Sequence, residues 1–197
     1  MLRVGNWSSL LPRAFRVGNW SSLLPRGVGN RSSLLPRGCI MVQIPNRGHR
    51  QLRKGRQSIP GAYYSVTLAT DNRNPFLTTP GTSDIIFQCF DWLETDERLQ
   101  WICVMVMPDH IHAIFQLGTQ QTLSRLIQSL KRYTARQINA HLARNGSVWQ
   151  ENYYEHGIRH DESLNRLVRY CYENPVRKGL VEQPKDYPYW RCKFEME

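Results

Sequence analysis

Met107-Pro108-Asp109-His110-Ile111-His112-Ala113-Ile114-Phe115 is the stretch on which the fold turns. Pro108 and Asp109 break or start elements, and an alternating apolar run follows, as in a β-strand. Residues two apart on a strand share a face, so His110 and His112 present two imidazoles side by side, with Ile111 opposite. Two neutral imidazoles a few ångströms apart can grip one divalent cation. The plainer alternative is a pair of ordinary strand histidines, because His-x-His without further ligands is weak evidence. By the same alternation Asp109 points away with Ile111 and reads as a turn residue.

Upstream, Leu99 to Met107 reads as a buried strand. It meets the histidine strand, 110–117, through Pro108-Asp109, which suggests an antiparallel hairpin. Ala62 to Thr70, rich in β-branched and aromatic residues, reads as a first strand. Between them Thr82 or Ser83 can cap a helix carrying Ile85, Ile86, Phe90 and Leu93 on one face.

Downstream, Thr122 starts the longest helix, with Leu123, Leu126, Ile127, Leu130, Tyr133 and Ile138 as its buried stripe and Asn145-Gly146 as its stop. Val148 to Ile158 reads as a fourth strand or extended edge. Asp161 caps a last helix that turns Leu164, Leu167, Val168 and Cys171 inward and ends at Asn174-Pro175. The order β-α-β-β-α-β-α is α+β. It is the ferredoxin-like split βαβ with a central antiparallel sheet and an added C-terminal helix.

The net charge of +10 is unevenly placed. Residues 1–58 hold 11 Lys/Arg and no Asp or Glu, and the remaining 15 basic residues face all 16 acids in 59–197. Within that second part, 59–118 carries 2 basic and 7 acidic residues, whereas 119–180 carries 10 and 5. A polyanion is therefore expected along the second half. Its phosphate-contact candidates are Lys131, Arg132, Arg136, Arg166, Arg169, Arg177 and Lys178, taken as a group. His156 and Arg159, on the extended segment with Tyr154, can meet a nucleic-acid backbone or a flipped base. Solvated helix faces are the alternative.

Residues 1–38 repeat. Val4 to Arg13 returns as Val17 to Arg26 and again as Val28 to Arg37, with Arg31 in place of Trp. The units are too short and too Gly/Pro/Ser-rich for a solenoid, so 1–58 is expected to be a basic, disordered segment preceding one domain, 59–197. Met41 is an alternative start, and native peptides containing Ser8 or Trp20 would refute it. No apolar run approaches membrane-span length, no secretory h-region is seen, and the 5 cysteines form no C-x-x-C, which predicts reduced thiols and a cytoplasmic location.

On the last helix Tyr170 and Asn174 are four residues apart and share a face. Asn174 offers a carbonyl oxygen suited to Mg²⁺ or Mn²⁺. If that helix crosses the face carrying His110 and His112, three ligands and a tyrosine hydroxyl converge. A phosphodiester held there could be attacked by Tyr170, joining protein to DNA through a phosphotyrosine. By spacing alone Tyr172, Tyr153, Tyr154 and Tyr133 are rival nucleophiles.

Met107-Pro108-Asp109-His110-Ile111-His112, Leu130-Lys131-Arg132-Tyr133, Val148-Trp149-Gln150, His156-Gly157-Ile158-Arg159 and Tyr170 to Leu180 (YCYENPVRKGL) together resemble the REP-associated tyrosine transposases, within the single-tyrosine HUH superfamily. The resemblance covers roughly residues 60–190. It implies a nuclease domain acting on single-stranded DNA hairpins of repetitive extragenic palindromes, with His110 and His112 as metal pair, Tyr170 as nucleophile and Asn174 at a metal-assisting position. It also implies a monomer, with a helix-exchanged dimer as the alternative. The family pattern has no counterpart for the repeated N-terminal segment. Two other classes compete: a hydrolase whose histidines hold Zn²⁺ and activate water, and a hairpin-binding protein that does not cut.

Overall fold

A computed structural model describes residues 58–158 and 164–196. The elements run β1 (Tyr63–Ala69), α1 (Thr82–Thr95), β2 (Leu99–Val106), β3 (His110–Leu117), α2 (Leu123–His141), β4 (Tyr154–Gly157), α3 (Leu164–Arg177) and β5 (Trp190–Cys192). Every strand pair is antiparallel, in the order β4-β1-β3-β2-β5. The first four strands are the expected split βαβ sheet. β5 is an addition to it, three residues long, on the outer edge of β2. The expected disorder of 1–57 and the Asp161 cap lie outside the described residues.

The two faces of β3 have different tasks. Ile111, Ala113, Phe115 and Leu117 point into the main core against Ile86, Phe90 and Leu93 of α1 and Leu126, Leu130 and Ile138 of α2. Strand alternation then sends His110, His112 and Ile114 to the other face. The register of β2 slips between Trp101 and Cys103, where Ile102 is an extra residue. That bulge lets Leu99 and Trp101 at one end, and Val104 and Val106 at the other, all face the same core. On the second face Met105 and Met107 pack with Tyr187, whose hydroxyl donates to Val106 O at 2.8 Å.

Four local expectations are corrected. α1 starts after Gly81, whose φ of 81° turns the chain, with no side-chain cap, and Thr82 and Ser83 lie buried inside the helix. Tyr133 is 47% exposed, and Thr134 holds its expected place in the α2 stripe. The Thr134 hydroxyl donates to Leu130 O at 2.8 Å and accepts from Trp149 Nε1 at 2.9 Å, so a buried indole N–H is satisfied by a polar residue on an apolar face. α2 ends at His141, ahead of Asn145-Gly146, through left-handed Ala143. α3 continues through Pro175 to Arg177. Its stop is Gly179, at φ 66°, with Leu180 N donating to Pro175 O at 2.9 Å, the six-to-one closure of a Schellman motif.

Candidate active site

β1 and β3 set the register of the site: Thr67 lies opposite His112 and Ala69 opposite His110. His110 Nε2 and His112 Nε2 stand 3.1 Å apart, with the rings nearly perpendicular. His110 Nδ1 lies 2.6 Å from Asp109 Oδ1, and His112 Nδ1 lies 2.9 Å from Thr67 Oγ1. Asp109 is therefore not a plain turn residue. It precedes the first paired residue of β3, so strand alternation does not govern it, and its carboxylate reaches forward to the ring of the residue after it.

These partners assign the protons. The carboxylate accepts from His110 Nδ1–H, which leaves the His110 Nε2 lone pair free to accept from His112 Nε2–H. The Thr67 hydroxyl then donates to His112 Nδ1. Both rings are neutral. Burial pushes His112 down to about 4. Burial also lowers His110, against the upward pull of Asp109. Burial alone would raise Asp109, but the hydrogen bond from His110 and the nearby Arg73 guanidinium hold it below the ordinary carboxylate value. Arg73 Nη1 reaches Asp109 Oδ2 at 3.3 Å.

α3 lies across this face. The Tyr170 ring meets the His112 ring edge-on, with centroids 6.4 Å apart. Tyr170 is 45% exposed, so its hydroxyl-bearing ring is open to a strand arriving from solvent. Arg177 stacks over it, with Cζ 4.8 Å from the ring centroid, and is held by Glu173 at 2.8 Å. One turn beyond Tyr170, Asn174 is buried, and its Nδ2 has no partner among the described residues. A buried amide without a partner is costly in a purely structural role.

The family model described as "Transposase IS200 like" matches residues 58–174. The chain belongs to that family. An Escherichia coli K12 REP-associated tyrosine transposase is 33% identical over 131 residues, covering 66% of this chain and 74% of that one. A Haemophilus influenzae protein named as a REP-associated tyrosine transposase is 35% identical over 98 residues, covering 45% of this chain and 56% of its own length. A solved REP-associated tyrosine transposase bound to a REP hairpin superposes with a TM-score of 0.59 at 25% identity, covering 68% of this chain and 79% of the other. The α+β fold read from the sequence is the fold of that family member.

Among the rival tyrosines of this family member, Tyr172 stacks on Trp190, with centroids 5.6 Å apart. Tyr133 is exposed on α2, and Tyr153 lies under Lys131 Nζ, 5.4 Å from the nitrogen. Tyr154 shares the face of His112, since both pair with Thr67, but it stands two strands away.

The basic candidates separate. Lys131 donates to Gln150 O at 2.8 Å and to Glu151 O and Asn152 O at 3.2 Å each. Burial lowers its pKa to about 8. Its three donors fasten the chain leading into β4. Arg132 and Arg136 on α2, Arg166 and Arg169 on α3, and Lys178 past its end are exposed. His156 is half-buried on β4, opposite Ser65. Arg159 lies outside the described residues. Sequence reasoning missed Asp109, Thr67 and Arg73. The register between the first and third strands was the signal that could have paired Thr67 with His112.

Proposed function

We propose that this chain is a metal-dependent single-stranded DNA endonuclease and strand transferase that cleaves palindromic-repeat hairpins through a 5′-phosphotyrosine on Tyr170. The observation that carries the reading is the edge contact of Tyr170 with His112, the ring whose Nε2 converges on that of His110.

The donor set fits a divalent cation of the Mg²⁺ or Mn²⁺ class. Two neutral imidazole nitrogens converge, and the buried Asn174, one turn beyond Tyr170, carries a carbonyl oxygen of the hard-donor kind such an ion takes. His110, His112 and the Asn174 carbonyl oxygen would hold the ion, which would withdraw charge from the scissile phosphate. Asp109 keeps the His110 proton on Nδ1 and so keeps its Nε2 lone pair directed at the site. The Thr67 hydroxyl can accept as well as donate, so the His112 proton can move to Nδ1 and free its Nε2 too.

Tyr170 gives its proton to solvent and its phenolate oxygen attacks phosphorus. The new bond joins tyrosine to the 5′-phosphate. The bond to the 3′-oxygen breaks, and that oxygen takes a proton from water. The phosphodiester is exchanged rather than hydrolysed, so a 3′-hydroxyl can reverse the step without ATP. Arg132, Arg136, Arg166, Arg169, Arg177 and Lys178 supply the phosphate contacts, joined by Arg159 and by His156 on β4. Residues 59–197 form the nuclease domain, acting as a monomer in the cytoplasm. Among the described residues no helix is long and apolar enough to cross a membrane.

The test is cleavage of single-stranded DNA carrying the palindromic repeat beside the gene, with Mg²⁺ or Mn²⁺, resolved on denaturing protein gels. A protease-sensitive adduct that disappears in Tyr170→Phe and in EDTA supports the reading. An adduct that survives Tyr170→Phe moves the nucleophile to Tyr154 or Tyr172. Tight binding with neither adduct nor cut leaves a hairpin-binding protein.

A further inference from the structure

Beside His110 lies a cavity of about 400 Å³ lined by Arg73, Met107, Pro108, Asp109, His110, Lys178 and Leu180. Met107, Pro108 and Leu180 form an apolar wall. Arg73 and Lys178 place two cations at its rim. The composition suits one nucleotide: an apolar surface for base or sugar, and positive charge for a phosphate.

The position of Lys178 follows from α3. Tyr170, Asn174 and Lys178 succeed one another at four-residue steps, so Tyr170 and Lys178 are about 12 Å apart along the helix, with Asn174 midway. Tyr170 stands against His112, and Lys178 shares the cavity with His110. α3 therefore runs opposite to β3, with the attacking group at one end of the histidine pair and the cavity at the other. The Schellman closure at Gly179 ends the helix at that point.

Arg73 is held there with strain. Asn72 and Arg73 are consecutive non-glycine residues in the left-handed region, at φ 52° and 56°. Such backbone persists when its surroundings over-determine it, and it clusters at functional sites. Thr70 N and Leu77 N bind the carbonyls of Asp109 and Pro108 at 2.9 Å each, tying the strained turn to the start of the histidine strand.

We infer that this cavity seats the nucleotide on the 5′ side of the cleaved bond, the one that leaves with the free 3′-hydroxyl, and that Lys178 and Arg73 grip its phosphate. The inference rests on the tyrosine mechanism proposed above. In a phosphoryl transfer the attacking and leaving oxygens lie roughly in line across phosphorus. With Tyr170 attacking from the His112 end, the 3′-oxygen departs toward the His110 end, where the cavity is. The seat gives the cut strand a reason to stay: its 3′-hydroxyl remains positioned to attack the phosphotyrosine and rejoin, or to be exchanged for another 3′ end.

The test uses the hairpin oligonucleotide on which the unaltered chain forms its adduct, with 2-aminopurine placed immediately 5′ or immediately 3′ of the mapped cleavage point. Binding is followed by fluorescence in the uncleaving Tyr170→Phe chain. Lys178→Glu, at an exposed position, is expected to remove most of the 5′-side fluorescence change at saturating chain and to leave the 3′-side change in place, with Lys178→Arg restoring it. Equal loss of both signals, loss confined to the 3′ side, or no change overturns the inference while leaving the tyrosine mechanism standing. Absence of any adduct in the unaltered chain overturns that mechanism, and this seat with it.

Discussion

Asp109 Oδ1 lies 2.6 Å from His110 Nδ1, and this contact fixes which nitrogen of His110 faces the site. Asp109→Asn keeps the shape but removes the charge, and its amide can present a donor where an acceptor is needed. Loss of such an orienting carboxylate lowers metal affinity by roughly 10–100-fold. Titrating Mn²⁺ into the adduct assay should shift the half-maximal concentration by that factor, with the yield at saturating metal largely retained. An unshifted titration would show that Asp109 only anchors Arg73.

The neutral state of the histidine pair gives a pH dependence of stability. His112 sits at about 4 in the folded chain against 6.5 for a free imidazole. Between those values the unfolded chain binds a proton that the folded chain refuses, so stability rises with pH across the window. The contribution is fully present above about 6.5 and lost as pH falls through about 4. His110 is lowered as well, so it acts in the same direction. Urea midpoints measured in EDTA should fall from pH 7 to pH 4, and His112→Gln should flatten the curve. A midpoint that is level or rises on acidification counts against the buried neutral pair.

The hairpin carrying the two histidines was legible because its period is two and its turn is Pro-Asp, both local signals. The α2 stripe was legible except at Tyr133. Periodicity puts Tyr133 in the stripe, whereas Thr134 is the buried residue because it accepts from Trp149, a long-range partner that periodicity does not show. β5 is three residues long, and its pairing with β2 depends on the sheet edge already existing. Pro175 was read as a stop, yet the chain stays helical to Arg177 and turns at Gly179, so the glycine, not the proline, ends α3. In the site, the histidine pair and Tyr170 came from spacing and resemblance together. Arg73 could not, since it is 36 residues from Asp109 and its reach depends on a strained turn.

Thr134 and Trp149 allow a test of packing separate from chemistry. Thr134→Val retains the volume and removes the hydroxyl that accepts from the buried indole N–H. An unmet buried donor costs about 1–3 kcal/mol. Chemical denaturation should show a loss in that range, with adduct yield unchanged below the melting transition. Thr134→Ser, which keeps the hydroxyl, should recover most of it. A neutral Thr134→Val would mean that water reaches the indole.

Gly179 tests whether the end of α3 sets the site. Its φ is 66°, and a Cβ built there meets nothing within 4 Å, so Gly179→Ala is opposed by backbone conformation rather than by crowding. A left-handed alanine costs about 1 kcal/mol, and thermal or urea unfolding should report a loss of that size. The chain can relieve the strain by loosening the end of α3 at Arg177 and the Lys178 that follows it, beyond both Asn174 and Tyr170. Adduct formation should therefore persist, while rejoining of the cut strand through its 3′-hydroxyl slows relative to cleavage. Equal slowing of both steps would show instead that the strain travels up the helix to Tyr170.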